Sequence, residues 1–239
     1  MAVDTSNNIA DDVIAPSGQA SRWLKRHWFS IAIVLISIYV ILPWLAPLFV
    51  SWGWTKAANV IYLLYATQCH QLPQRSFFIF GNQPMYTLAE VQTVWENGTN
   101  PFALRRFIGN SEMGWKVAWS DRMVYMYSSI ILWGVILFYP LRRKLKPLPW
   151  WGLFLLLLPM AIDGGTHFIS DIIGGIGGGF RDSNLWLATL TNDLFTATFY
   201  AGDALGSFNS VMRLITGILF GLGVVLFFFP RLQRSFVHE

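Results

Sequence analysis

The segment 28–50 carries no charged side chain and consists almost entirely of apolar residues. An α-helix needs about 20 such residues to cross the hydrocarbon core of a bilayer. Apolar segments of similar length follow at 123–141, 149–170 and 210–229. The sequence therefore predicts an all-α, polytopic membrane helix bundle with about four transmembrane helices, interfacial helices and a folded extracytoplasmic loop.

The composition supports a membrane location. Hydrophobic residues make up 54% of the 239 residues and charged residues only 13%, which is about half the charged share of a soluble domain. Lipid must therefore solvate part of the apolar surface. The positive charges form short clusters beside the apolar segments, a pattern typical of orientation signals. We expect membrane lipids as partners and no nucleic acid.

The chain divides into a tail and one membrane domain. Residues 1–21 are polar and predict a disordered tail, and 22–239 form the membrane domain. The segment 54–68 is apolar but short and contains Lys56, so we interpret it as an interfacial helix, while a fifth crossing stays open. The polar stretches between the spans, expected to be extracytoplasmic loops, are 69–121 and 174–205.

The basic clusters predict an orientation. They lie at 22–26, 142–146 and 231–234, and four crossings put all three on the same side of the membrane. Positive charges near span ends favour the cytoplasmic side. We therefore expect a multi-pass protein of the cell (inner) membrane with both termini in the cytoplasm.

Four polar motifs lie close to the ends of the spans. They read CHQLPQRSFF at 69–78, SDR at 120–122, DGGT at 163–166 and SFNSVMRLITG at 207–217. In the order of these motifs over about 69–221, the chain resembles an uncharacterised family of predicted bacterial and archaeal integral membrane proteins, a domain of unknown function of the Cys-His-x-x-Pro-x-x-Ser-Phe type. Ser120 and His167 stand where that family has a cysteine and a glutamine. The resemblance implies no particular activity.

One group of polar residues has the chemistry of a metal site. Asp163, His167 and Asp171 follow at intervals of four residues and share one face of a continuous helix. Together with Cys69 and His70 from the preceding loop, they offer nitrogen, oxygen and sulfur ligands to a divalent metal such as zinc. The candidate metal ligands are Cys69, His70, Asp163 and His167.

The same residues have alternative interpretations. Asp163 pairs with Arg122 or Arg213 in the second interpretation, because an unpaired charge at membrane depth is costly. Cys69 is either a small buried hydrophobe or a ligand or nucleophile. As a nucleophile it would need His167 as its base, since its neighbour in the sequence points away from it.

Arginines form a second candidate site, for an anion or a lipid headgroup. Guanidinium groups bind phosphate through charge-assisted hydrogen bonds. In the alternative interpretation, each arginine pairs with one of the carboxylates of Asp121, Asp163 and Asp203. The candidate residues are Arg75, Ser76, Arg122 and Arg213.

Two functions of different classes fit these features. Gly217 and Gly221 are in GxxxG register, which predicts close helix packing, and no nucleotide-binding or hydrolase motif is present. The first function is a noncatalytic subunit or binding module of a larger membrane assembly, in contact with other membrane protein subunits and with a polar pocket at the outer face. The alternative is a small membrane-embedded, metal-dependent enzyme or carrier that acts on a lipid headgroup or anion.

Overall fold

A computed structural model describes residues 17–95 and 98–237. In this part of the chain, four helices are long and apolar enough to cross a membrane: Arg22–Ser51, Asp121–Leu141, Trp150–Gly174 and Phe208–Phe236. The predicted all-α bundle with about four spans is confirmed, and the chain is an integral membrane protein.

The helices occur in the following order along the chain. They are α1 (Ser17–Ser51), α2 (Thr55–Ala66), α3 (Leu88–Val94), α4 (Pro101–Arg106), α5 (Asp121–Trp133), α6 (Tyr139–Leu141), α7 (Trp150–Gly174), α8 (Phe180–Ser183), α9 (Leu185–Thr191), α10 (Ala197–Tyr200) and α11 (Phe208–Val237). A π-helical turn at Gly134–Phe138 joins α5 to α6, and a 3₁₀ turn covers Pro73–Arg75.

Two N-terminal features bear on the span boundaries. Helix α1 begins at Ser17, inside the predicted tail 1–21, of which residues 1–16 lie outside the described part. Helix α2 contains 12 residues, so it is about 18 Å long. That length falls short of the hydrocarbon thickness of about 30 Å. The shortness of α2 favours the interfacial interpretation of segment 54–68.

A small antiparallel sheet, absent from our prediction, lies within the polar stretch 69–121. Its strands are β1 (Ser76–Ile79), β2 (Gly109–Asn110) and β3 (Gly114–Ser120), with β3 in the centre. Strand β3 is mostly buried and ends where α5 begins. The sheet therefore connects the polar stretch directly to the second span.

An aromatic core holds α1, α2 and β3 together. Trp119 of β3 is fully buried, stacks on Tyr127 at a centroid distance of 5.0 Å and meets the edges of Tyr39 and Tyr65 at the same distance. Such aromatic pairs contribute about 0.5–1.5 kcal/mol beyond their burial. The core fixes the start of α5 against α1.

Helices α5 and α11 pack closely through glycines. A Cβ atom added at Gly217 would lie 2.8 Å from the Cβ of Tyr125, and one at Gly221 would lie 2.7 Å from the carbonyl carbon of Ser129. The Ser129 hydroxyl donates a hydrogen bond to the Gly217 carbonyl at 2.9 Å. Close helix packing at the predicted glycines is confirmed, and the helix they contact belongs to the same chain.

The three basic clusters lie at the same end of the bundle. Trp28 of α1 meets Phe229 of α11 edge-on at a centroid distance of 5.9 Å, and Arg231 Nη2 donates to the Leu148 carbonyl at 2.8 Å. We call this the basic end. At the opposite end, α5 and α11 begin and α7 finishes. We call that the polar end.

Candidate functional site

Five charged residues form one connected group at the polar end, which we call the Asp203 group. Asp203 accepts hydrogen bonds from Arg75 Nε at 2.6 Å and from Arg213 Nη1 at 2.8 Å. Arg213 Nε also donates to Asp121 at 2.7 Å. Arg75 holds Asp171 through two hydrogen bonds, at 2.8 and 3.0 Å. The group thereby joins the 3₁₀ turn, α5, α7 and α11.

Three charged residues and a histidine form a second group, the Asp163 group. Asp163 lies between Arg122 Nη2 at 2.8 Å and Arg181 Nη2 at 2.7 Å. Its predicted ion pair with Arg122 is confirmed. Arg181 Nη2 lies 3.3 Å from His167 Nε2, and because a guanidinium only donates, this nitrogen accepts. The neutral ring therefore carries its proton on Nδ1.

The Asp163 group contains buried donors without acceptors in the described part of the chain. They are Arg122 Nη1, His167 Nδ1 and Arg181 Nε. An unsatisfied buried donor costs about 1–3 kcal/mol. Of these three residues, Arg122 and His167 line the cavity described below.

The two groups differ in charge. The Asp163 group has two guanidiniums for a single carboxylate, which leaves one positive charge in excess. The Asp203 group has two guanidiniums for three carboxylates, which leaves one negative charge in excess. The two groups together are neutral. The positive excess thus lies on the side that also has the unsatisfied donors.

A cavity of about 250 Å³ opens between these groups. The predicted anion-binding arginines all line it, and so do three of the predicted metal ligands. The side chains concerned are those of Cys69, His70, Arg75, Arg122, His167 and Arg213. Ser76, the fourth predicted anion-binding residue, is absent from the wall, and its hydroxyl donates to the Leu72 carbonyl at 2.8 Å.

The structure does not gather the four predicted metal ligands into one site. Across residues 17–95 and 98–237, no three His, Cys, Asp or Glu side chains are placed to hold a metal ion together. The carboxylate of Asp163 is held by two arginines, and Cys69 Sγ accepts backbone N–H groups from Gln71 and Ser120, each at 3.4 Å. Two of the residues expected to bind zinc, Asp163 and Cys69, thus have other partners.

Arg181 is the main site residue that the sequence analysis missed. It lies in the glycine-rich stretch after α7, and together with Asp182 it forms the only charged pair in 172–192. Asn184 and Asn209, both fully buried, donate to the Arg181 carbonyl at 2.8 and 2.7 Å and fix its position. A charged pair in an otherwise uncharged stretch is the signal that identifies it.

Burial and neighbouring charges shift the pKa values of the loop residues. Burial opposes the charge on Arg75, but Asp203 and Asp171 outweigh it and raise the pKa of Arg75. Burial likewise opposes the charge on Asp203, yet Arg75 and Arg213 hold its pKa below the ordinary range. The side chains of Arg75 and Asp203 are therefore both charged at neutral pH.

Lys116, in the middle of β3, is a second polar residue that the sequence analysis missed. It is fully buried, and its Nζ donates to the carbonyls of Gln71 at 2.7 Å and Arg105 at 3.0 Å. Burial lowers its pKa from 10.5 to about 7. The side chain thereby ties the loop after α2 to the sheet.

Comparisons with known proteins agree with this architecture. Residues 111–227 match the model of a family described as predicted membrane protein (DUF2085). An uncharacterized protein of Methanocaldococcus jannaschii is 28% identical over 185 residues, which cover 73% of this chain and 90% of that protein. No solved structure matches. The resemblance to an uncharacterised family of membrane proteins is confirmed, and the matched segment contains every member of the two charged groups except Arg75.

Proposed function

We propose that this chain is a noncatalytic binding module of the membrane whose cavity takes an anionic group, such as the phosphate of a lipid headgroup. One observation carries the proposal. Arg122 Nη1 and His167 Nδ1 are buried donors without acceptors in the described part of the chain, on residues that line the cavity. The oxygens of an anion would supply those acceptors, and guanidinium groups are well suited to phosphate.

The charge of the Asp163 group supports an anion in particular. It has one positive charge in excess, and the carboxylate that balances this charge belongs to the separate Asp203 group. A bound anion would pair with the local excess directly, through charge-assisted hydrogen bonds. A neutral ligand would satisfy the donors but would leave the charge.

The surroundings of the cavity favour a lipid headgroup as the source of the anion. Phe168 lines the cavity and is 63% exposed, on a spanning helix whose next residue, Ile169, is also exposed. The cavity therefore borders the surface that acyl chains cover. Its volume of about 250 Å³ suits a headgroup or a small anion, because pockets for larger ligands usually start at about 300 Å³.

We further propose that the polar end faces the outside of the cell membrane. The basic clusters lie together at the opposite end, and positive charges near span ends favour the cytoplasm. The cavity would then bind a headgroup of the outer leaflet, and both termini would be cytoplasmic.

The alternative functions have less structural support. The glycines that suggested contact with other subunits pack against α5 of the same chain. A metal-dependent enzyme would need ligands that the described residues do not bring together. Association with further membrane subunits stays a prediction.

Binding measurements on one variant and its control test the proposal. Arg122→Gln removes the excess positive charge, while Asp163 keeps Arg181 as its partner. Arg106→Gln is the matched control, since Arg106 is exposed on α4. We expect Arg122→Gln to weaken binding of phosphatidylglycerol at least about tenfold, which equals about 1.4 kcal/mol, and the control to bind normally.

The probes distinguish the sources of the anion. Inorganic phosphate alone and phosphatidylglycerol in nanodiscs are compared by thermal stabilisation and by native mass spectrometry. Binding of phosphatidylglycerol only indicates a headgroup site, and binding of both indicates a general anion site. Binding of neither, or equal binding by Arg122→Gln, would overturn the proposal.

A further inference from the structure

We propose that residues 185–199, the apolar hairpin, insert among the acyl chains of the leaflet at the polar end. The hairpin consists of α9, a turn and most of α10. Its turn residues Asn192 and Asp193 have positive φ values of 51° and 54°, a conformation that Asn and Asp tolerate. The inference does not depend on what the cavity binds.

The exposed side chains of the hairpin are large and apolar. Leu185, Leu190 and Leu194 are 69%, 77% and 75% exposed, and Trp186 and Phe195 are about half exposed. Asp193 is the only charged residue in 185–199. An apolar patch of this kind on a protein surface marks an interaction site.

Several polar groups of the hairpin are bonded internally, whereas the charged side chain of Asp193 is exposed at the turn. Asn184 Nδ2 donates to the Tyr200 carbonyl at 2.7 Å and closes the base. The buried Tyr200 hydroxyl lies 2.5 Å from Thr191 Oγ1 and accepts the Phe195 N–H at 3.1 Å. Internal hydrogen bonds of this kind lower the cost of bringing a segment into lipid. The hairpin therefore has a defined shape that presents its apolar side chains outwards.

The position of the hairpin identifies lipid as the partner. It follows α7 and precedes α11, and both of those spanning helices have their adjoining ends at the polar end. Ile172 and Ile173, in the last turn of α7, are 65% and 76% exposed. Exposed apolar side chains thus occur both on the end of a span and on the hairpin, at the same end of the bundle. Trp side chains in particular are typical of that level of the membrane.

Site-directed fluorescence tests the insertion. Cys69 is the only cysteine and is buried, so a Cys69→Ala background accepts single labels. Leu190→Cys carries an environment-sensitive fluorophore, and the full chain is reconstituted into vesicles of phosphatidylcholine and phosphatidylglycerol. Lipids with brominated acyl chains quench the label from the membrane, and iodide quenches it from water.

Two further labelled positions calibrate the measurement. Ile136→Cys places the label on the exposed face of the second span, and Glu112→Cys places it on the exposed turn between β2 and β3. We expect the label at 190 to be quenched by brominated lipid as strongly as the label at 136. Iodide should quench only the label at 112.

Two results would overturn the inference. Quenching at 190 by iodide and not by lipid would place the hairpin in water. Protection from both quenchers, with a mass above that of the monomer in native mass spectrometry, would indicate a protein partner. Leu194→Cys provides the same reading if Leu190→Cys does not fold.

Discussion

Arg213 holds Asp203 at two points, since its Nη1 donates to the carboxylate and its Nη2 to the backbone carbonyl, each at 2.8 Å. Both residues are almost fully buried. The pair closes the loop before α11 onto the first turns of that helix, so the same guanidinium that neutralises Asp121 also sets the path of the chain at the polar end.

Replacing Arg213 should destabilise the fold strongly. Arg213→Met leaves Asp121 buried without its cation, and breaking a buried pair in this way costs about 3–5 kcal/mol. Arg213→Lys should recover part of the loss, because one ammonium cannot reproduce the forked contacts. Thermal unfolding in detergent measures both. Arg106→Met, at an exposed position, should change little, and equal midpoints for all variants would contradict the buried network.

The glycine contact between α5 and α11 should not tolerate a methyl group. Gly221→Ala places Cβ into Ser129 and should destabilise by about 1–3 kcal/mol through overpacking. Gly165→Ala is the control, since a Cβ there has no neighbour within 4 Å, and it should be neutral or slightly stabilising. The thermal unfolding midpoints of both variants check the prediction, which fails if both behave alike.

Stability should rise with pH through Lys116. Its pKa is about 7 in the folded chain, below the ordinary lysine value of 10.5 that the unfolded chain has, so between these values the unfolded chain binds more protons. The contribution of Lys116 to stability is therefore greatest above about pH 10 and is lost as the pH falls towards about 7, with a slope of at most about 1.4 kcal/mol per pH unit.

Lys116→Met should remove this part of the pH dependence. Thermal midpoints recorded across that pH range for the wild type and the variant give the difference. Lys56→Met, at an exposed position on α2, should keep the slope of the wild type. A wild-type slope retained by Lys116→Met would show that other groups cause it.

Labelling from each side of the membrane should place the two ends of the bundle. In the Cys69→Ala background, Glu112→Cys should react with a membrane-impermeant maleimide in intact cells, and Lys144→Cys only after the cells are opened, as the basic clusters require. Both positions are exposed. The reverse pattern would refute the proposed orientation.

Hydropathy predicted the spans, and the cost of buried charge predicted an arginine partner for Asp163, either Arg122 or Arg213, of which the structure shows Arg122. The sheet was not predictable in this way, because strands of two to seven residues between glycines and prolines show little periodicity. The contact of Arg181 with Asp163 depends on the path by which the chain, after the last turn of α7, folds back against that helix. That path is a tertiary property, which short-range patterns do not encode.

The spacing of Asp163, His167 and Asp171 shows what the sequence could predict and what it could not. Helix α7 continues through Gly164 and Gly165 to Gly174, so these residues do share one helix, as predicted. Arginines from three other segments form ion pairs with carboxylates on that face. Two of these arginines pair with Asp163. The residue types predicted a polar site on this face. Whether that site is a metal site or a group of ion pairs depends on which side chains of other segments face it.

The ion pair between Asp121 and Arg213 has a consequence for biosynthesis. Its members are 92 positions apart, and Arg213 lies on the last helix. While the ribosome is still making the intervening chain, Asp121 has no arginine from α11 to neutralise it. A chain that stops before Phe208 would therefore retain, at the start of its second span, a carboxylate without the arginine that pairs with it in the complete bundle.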